Sequence, residues 1–294
     1  MKKIWVNRKY IIKKATYTTS FVLSGMGLMG TFIPWSDLLP NTLSFWIRLL
    51  ISVGILVGLW LTFALCHARR FDKEKCLEIF EAENGCHVYV QYGDVLSSDI
   101  LQSEDKKRNI VIPVNRCFDT LVNNDLISAR TLHGVVFNRL YESGKYNEYT
   151  MNEAIQNNLK MQRIVPEIIS HDDKRAGNLK RYPVGTIAEI ESSDECVYFL
   201  LGLSTFNYNL KAETSSEEYV IAMMKLVEYC YERSQQYPVV IPLIGAGLSR
   251  ANRDERAILE YMVKLLKLNK ELIKSDIYIV VRDSGENTIP ITEL

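Results

Sequence analysis

The chain has 294 residues, with 35 Lys and Arg against 35 Asp and Glu, so its formal net charge is zero and no overall field draws it to nucleic acid. Its six cysteines form no C-x-x-C pair and, with four histidines, no cluster of metal-ligand spacing. No metal, cofactor or disulfide framework is expected, and a reducing compartment is.

The chain starts basic, with Lys2, Lys3, Arg8, Lys9, Lys13 and Lys14. Residues 16–35 (TYTTSFVLSGMGLMGTFIPW) then carry no charge, and residues 43–66 (LSFWIRLLISVGILVGLWLTFALC) carry only Arg48. About 20 mostly apolar residues make a helix that crosses a bilayer core, where helices close their own backbone hydrogen bonds. Two transmembrane helices joined by a tight connector over 36–42 are expected. Arg69, Arg70, Lys73 and Lys75 follow the second run, while the connector holds only Asp37. The positive-inside rule then places both termini in the cytoplasm, a multi-pass arrangement in the cell membrane. The competing reading of the first run, a cleaved signal peptide, lacks a clear small-residue cleavage site. Ser24, Gly25, Gly27 and Gly30 give the first helix a small-faced segment, suited to close packing within the hairpin or between copies. Arg48 lies near the start of its run, where it either snorkels to the interface or faces a pore.

Residues 1–70 thus form a stub and two spans, and 71–294 remain for a cytoplasmic α/β domain large enough for a buried core. Short β-branched runs at 87–91 (HVYVQ) and 109–114 (NIVIPV) predict strands. An amphipathic helix is predicted over 131–141 and another around 151–161; the rest of 147–180 is polar and reads as loop. Strands follow at 184–190 and 196–204. Ser215 with Glu218 three residues on forms a capping-box pattern, opening a helix over 215–236. A strand at 237–244 (YPVVIPLI), a helix over 254–268 and a strand at 276–282 complete the chain. Continuous apolar strands imply a sheet covered by helices.

Three loops carry candidate chemistry. Gly245-Ala246-Gly247-Leu248-Ser249-Arg250 leaves a buried strand and precedes a helix. Glycines there let main-chain amides approach a ligand, and amides near a helix N-terminus suit phosphate. The pattern is neither a Walker A loop nor G-x-G-x-x-G, and a plain strand-to-helix turn is the alternative. Gly93-Asp94-Val95 follows the first strand, where Asp94 either meets a ligand or simply makes a turn. Asn115 ends the next strand and opens the loop Arg116, Cys117, Phe118, Asp119. The ends of parallel-type strands are where such sheets bind ligands, although an Asn can also hold its own loop. Ser204 and Phe206 end a strand at the same sheet edge.

A strand ending in Gly-Asp, a later strand ending in Val-Asn and a strand running into Gly-x-Gly before a helix together resemble the macro domain, a mixed sheet flanked by helices that binds ADP-ribose. With the transmembrane hairpin in front, the chain resembles the membrane-anchored macro-domain effectors of Thoeris anti-phage systems. The resemblance implies a TIR-domain partner that makes an ADP-ribose-type messenger from NAD, histidine–ADP-ribose in the membrane-anchored class. It also implies homo-oligomerisation and membrane disruption on binding. Carried over by position, Asp94 with its neighbour Val95 would meet adenine. Asn115, Arg116 and Cys117 would lie near the distal ribose and its conjugate, Gly245 to Arg250 near the diphosphate, and Phe206 would stack on a ring. Hydrolytic macro domains usually carry a second Asn and a glycine run in the first loop; here Asn115 is followed by Arg-Cys-Phe-Asp-Thr. Binding without catalysis is therefore expected, against the alternatives of a membrane-anchored ADP-ribosyl hydrolase and a passive scaffold.

Overall fold

A computed structural model describes residues 2–30, 44–74, 76–102, 106–192, 196–245, 254–292 and 294. It divides into two compact units. One comprises Met1–Lys75 with Glu286–Glu293, the other Cys76–Gly285 with Leu294.

The first unit holds α1 (Lys2–Val6), α2 (Arg8–Gly30) and α3 (Phe45–Lys73). The first expected span differs from its prediction. The helix begins at Arg8 rather than residue 16, because nothing in the basic segment breaks it, and residues 31–35 lie outside the described residues. Lys13, Lys14, Thr16, Thr18, Thr19 and Ser20 make its first half polar. Among the described residues one helix, α3, is long and apolar enough to cross a membrane, where the sequence predicted a hairpin of two. None of the apolar window of α3 is buried, so its Leu, Val, Ile and Trp side chains face outward. A helix whose apolar residues face outward along most of its length suits lipid rather than water. The helix runs on to Lys73, seven residues past the predicted end, with Arg70 and Lys73 in its last turn. α2 and α3 pair antiparallel. Trp60 Nε1 donates to Thr16 Oγ1 at 3.1 Å, Thr18 Oγ1 lies 2.9 Å from His67 Nε2, and the rings of Tyr10 and Phe71 meet at 6.0 Å.

Asn7 stands at the break between α1 and α2 and is fully buried. Its Nδ2 donates to the Lys3 carbonyl at 3.0 Å. Its Oδ1 accepts from Ile291 N at 3.0 Å and Thr292 Oγ1 at 2.9 Å. One side chain thereby ties the two ends of the chain into the same unit.

The second unit is built on an eight-stranded mixed sheet. Its strands are β1 (Cys76–Glu81), β2 (His87–Tyr92), β3 (Arg108–Asn115), β6 (Ile187–Glu191), β7 (Cys196–Phe206), β8 (Ala212–Glu213), β9 (Val239–Pro242) and β10 (Ile277–Val281); β4 (Glu167–Ile168) and β5 (Lys180–Arg181) pair apart. The order across the sheet is β1-β2-β10-β9-β3-β7-β6, with β8 on β7. The five central strands run parallel, and β1 and β6 flank them antiparallel. Every residue of β10 is buried, as are Ile110, Val111 and Ile112 of β3, the signature of a sheet covered on both faces. The covering helices are α4 (Leu132–Glu142), α5 (Glu148–Met161), α6 (Ser216–Arg233) and α7 (Glu255–Leu268). The predicted capping box forms at the start of α6: Ser215 Oγ accepts from Glu218 N at 3.1 Å and Glu218 Oε2 from Ser215 N at 2.9 Å. β1 was not predicted. Its partly exposed CLEIFE sequence lacks a clean alternation.

Removing the Asn7 clasp leaves the buried Ile291 amide and the part-buried Thr292 hydroxyl without their acceptor, at a cost of about 1–3 kcal/mol. Asn7→Ala should lower the melting temperature of the full chain in detergent and speed proteolytic cutting within residues 286–292; an unchanged cleavage pattern would show that the clasp does not hold the tail.

Candidate functional site

In a parallel sheet all strands end on one edge, and the loops leaving those ends gather there. Here they frame a cleft of about 1000 Å³. Gly93 to Leu96 follow β2, Asn115 ends β3, Ser204 and Phe206 end β7, Leu243 and Gly245 follow β9, and Arg282 and Asp283 follow β10. Residues 124–128 and 130–133 and the helix α4 supply a further wall.

The structure places the predicted site residues as follows. Asp94 is exposed at the cleft, with one carboxylate oxygen accepting from Leu96 N at 3.0 Å, so it makes the turn as well as lining the site. Val95 is buried beside it. Asn115 lines the cleft but is buried. Its Oδ1 accepts from Cys117 N at 3.0 Å, and its main-chain carbonyl accepts from Phe118 N at 2.9 Å. That side chain holds its own loop. Arg116 turns elsewhere: its Nε donates to the Tyr182 carbonyl at 2.8 Å and its Nη1 to Glu218 at 2.9 Å, and it is not among the cleft-lining residues. Cys117 is also buried outside the cleft lining, and burial pushes its thiol up, away from the reactive thiolate. Ser204 and Phe206 both line the cleft. Gly245 has φ +91°, and a Cβ there would stand 3.1 Å from the Tyr219 ring, so glycine suits both the backbone and the space. Ala246, Gly247, Leu248, Ser249 and Arg250 lie outside the described residues.

The loop after β3 is fixed from below. Lys174 Nζ lies 2.6 and 2.9 Å from the two oxygens of Asp119, and the two side chains are 0% and 1% exposed. Asn178 N adds a bond to Asp119 Oδ1 at 2.6 Å, while Asn178 Nδ2 donates to the carbonyls of Cys117 and Phe118. Burial pushes the Asp119 carboxyl up, and Lys174 and the Asn178 amide pull the other way. Phe118 takes φ +50°, an uncommon conformation for a bulky residue, within this braced loop.

The sequence reading missed the cations at the cleft. Arg130, Arg139, Lys211 and Arg282 all line it. Arg282 pairs with Glu255 at 2.6 Å, but among the described residues no carboxylate pairs with Arg130, Arg139 or Lys211. The lining also carries four carboxylates, Asp94, Asp125, Glu255 and Asp283, so the cations offer local contacts for an anionic group and no net positive field. The reading also missed Gly134, at the first turn of α4, where a Cβ would overlap the Ser128 carbonyl oxygen. Thr131 caps that helix, its Oγ1 accepting from Gly134 N at 3.0 Å. A Thr before an apolar helix pattern was legible as a cap, but its position at the cleft was not. No group of His, Cys, Asp and Glu among the described residues could hold a metal ion.

A family model described as Thoeris protein ThsA, macro domain, matches residues 88–282, most of the second unit. The chain belongs to the Thoeris ThsA macro-domain family. A curated relative, Thoeris protein ThsA of Bacillus amyloliquefaciens (strain Y2), is 26% identical over 249 residues, covering 82% of this chain and 74% of that one. A crystal structure of a protein from Bacteroides thetaiotaomicron aligns with 65% of this chain and 97% of its own at 10% identity, with a TM-score of 0.35; nothing below rests on it. The chain is thus a ThsA-type antiviral-defence protein whose macro domain carries the cleft described above, with the expected mixed sheet flanked by helices.

Lys174→Met should cost about 3–5 kcal/mol of stability, because Asp119 is left buried without its cation. Denaturant unfolding of the full chain measures it; a loss below about 1 kcal/mol would mean that the pair does not brace the loop.

Proposed function

We propose that this ThsA-type chain is a ligand-gated membrane effector. Its macro domain binds an ADP-ribose-type messenger, histidine–ADP-ribose, made from NAD by a TIR-domain partner. Binding drives assembly of several copies, and the assembled N-terminal helices breach the cell membrane. α2 supplies the second crossing beside α3, and both termini lie in the cytoplasm. The observation that carries the proposal is one chain holding both a helix whose apolar residues face outward along most of its length and a cleft of about 1000 Å³ at the strand ends, with three cations not paired among the described residues. That volume is at the upper end of small-molecule sites and fits a dinucleotide-sized guest. The adenine stands near Asp94, the diphosphate beside Gly245 and the residues up to Arg250 that follow it in sequence, and the distal ribose and its conjugate on the Asn115 side, beside Ser204 and Phe206.

Recognition rather than turnover is favoured by the state of the loop. Asn115 Oδ1 is engaged by the Cys117 amide, which leaves it poorly placed to position a water, and Cys117 is a buried thiol raised by burial. A membrane-anchored ADP-ribosyl hydrolase is the second reading, and product analysis after long incubation with the messenger separates the two.

A messenger shifts an equilibrium only as far as it binds one state better than the other. Moving it from 1:99 to 99:1 takes a preference of about 10⁴-fold. Arg282 and Asp283 border the cleft, and the chain continues from them into the tail that Asn7 holds. This connection offers a route by which occupancy reaches the helices.

The full chain in dye-loaded vesicles should release dye on adding histidine–ADP-ribose and stay tight without it; unchanged permeability at saturating messenger rejects the gate. Asp94→Ala should weaken messenger binding by about 1–3 kcal/mol in calorimetry, and an unaltered affinity would move the adenine elsewhere.

A further inference from the structure

The end of the N-terminal unit where the first residues meet the last turn of α3 is crowded with positive charge. Lys3 Nζ donates to the Glu74 carbonyl at 3.2 Å and lies 5.1 Å from the centre of the Phe71 ring, and Tyr10 packs on that same ring. Lys14 in turn lies over Tyr10 at 5.7 Å. These contacts bring Lys2, Arg8, Lys13 and Lys14 of α1 and α2 to the end of the unit that holds Arg69, Arg70 and Lys73 of α3, and all seven side chains are exposed. Arg70 pairs with Glu74 at 2.9 Å; among the described residues no carboxylate pairs with the other six. Arg69 and Lys73 stand four residues apart on one helix, a like-charge spacing that destabilises it unless other ions offset the repulsion. The carboxylates held by the described residues of the unit are Asp72, Glu74 and Glu286. The stripe Asn7, Ile11, Ala15 and Thr19 is buried, and the outward surface interleaves the cations with large apolar side chains: Trp5 is 66% exposed, Ile12 47%, Tyr17 77% and Phe21 77%.

We propose that this end of the unit binds the headgroups of phospholipids that carry net negative charge. The proposal rests on the reading of α3 as a membrane-crossing helix. The apolar run of α3 ends at Cys66, so at 1.5 Å per residue Arg69 and Arg70 lie about 4–6 Å beyond it. That is the depth of the headgroup layer, which adds roughly 5–8 Å to each side of the hydrocarbon core. The contact of Tyr10 with Phe71 puts the start of α2 at the same depth. Trp and Tyr rings gather at that level of a bilayer, and clusters of Lys and Arg beside a span attract acidic lipids. A headgroup phosphate supplies the anionic acceptor that the described residues do not give Arg69 and Lys73. Choline lipids carry their own balancing cation, so the attraction favours lipids without one. Nucleic acid would also meet the cations, but Ile12 and Phe21 would gain nothing from it, whereas acyl chains cover them. At the other end of α3 the described residues carry one charge, Arg48, so the attraction is one-ended.

The test uses the full chain reconstituted in phosphatidylcholine vesicles that contain a trace of spin-labelled phosphatidylglycerol or of spin-labelled phosphatidylcholine. Electron paramagnetic resonance reads the fraction of each labelled lipid immobilised at the protein. The expected result is a preference for phosphatidylglycerol of roughly twofold or more. It should fade as salt is raised from about 0.1 M to about 1 M, where the screening length falls from about 10 Å to about 3 Å. The quadruple variant K2Q/R8Q/K13Q/K14Q should lose most of the preference, and Arg48→Gln should keep it. Equal immobilisation of the two lipids by the unaltered chain overturns the proposal. So does a preference that survives high salt or the quadruple variant, or one that Arg48→Gln removes as fully. If the quadruple variant fails to insert, the salt series on the unaltered chain decides. Washing the vesicles with alkaline carbonate separates the two readings. A chain that washes off removes the membrane-crossing reading and this inference with it; a retained chain with no lipid preference removes the inference alone.

Discussion

An ion pair closed off from water braces the loop that follows β3, next to the strand end where Asn115 borders the cleft. Lys174 and Asp119 come from segments 55 residues apart, and both are desolvated on pairing, so the pair returns little net stability compared with apolar packing. What it does impose is geometry. Two oxygens, one ammonium and the Asn178 main chain are satisfied together in one arrangement. Glycine at 177, with φ +85°, lets the chain pass this cluster, where a Cβ would collide with the Asp119 carboxylate. The loop after β3 is locked, and Asn115 at its start inherits a fixed place.

That rigidity bears on what the site can do. A loop whose polar groups are engaged by their own backbone presents shape and a few directed atoms, not mobile acid–base groups. The cations stand differently. Arg130, Arg139 and Lys211 sit at the rim without carboxylate partners among the described residues, free to meet charge that arrives from outside.

The parts of this fold that were legible in the sequence are those determined locally. The buried parallel strands announce themselves as apolar runs, and α6 by Ser215 and Glu218. The sequence was less informative wherever order comes from distant partners. Residues 162–180 read only as loop, because the partner that orders Lys174 and Asn178 is Asp119, outside the segment. Arg116 read as a ligand residue because it follows Asn115. Its guanidinium is taken by Glu218, 102 residues later, the same side chain that closes the capping box. The cleft cations were invisible as a group because they come from α4 and its approach, from the segment leading into β8 and from the end of β10. The transmembrane pattern was clear in α3, whose apolar run up to Cys66 holds one charge, Arg48 near its start. It was blurred in α2, where basic residues that the sequence reading set outside the span turned out to be on the helix itself.

The hydrogen bonds of Asn7 reach 284 and 285 residues along the chain, which gives the N-terminal unit an unusual biosynthetic history. Its helices leave the ribosome first, but the strip that completes it is translated some 200 residues later, roughly 10–40 s at ordinary elongation rates. Throughout that interval Asn7 has no tail to accept from, and the unit stays unfinished. The N-terminal unit is therefore not assembled into its final form until the macro domain has already been made.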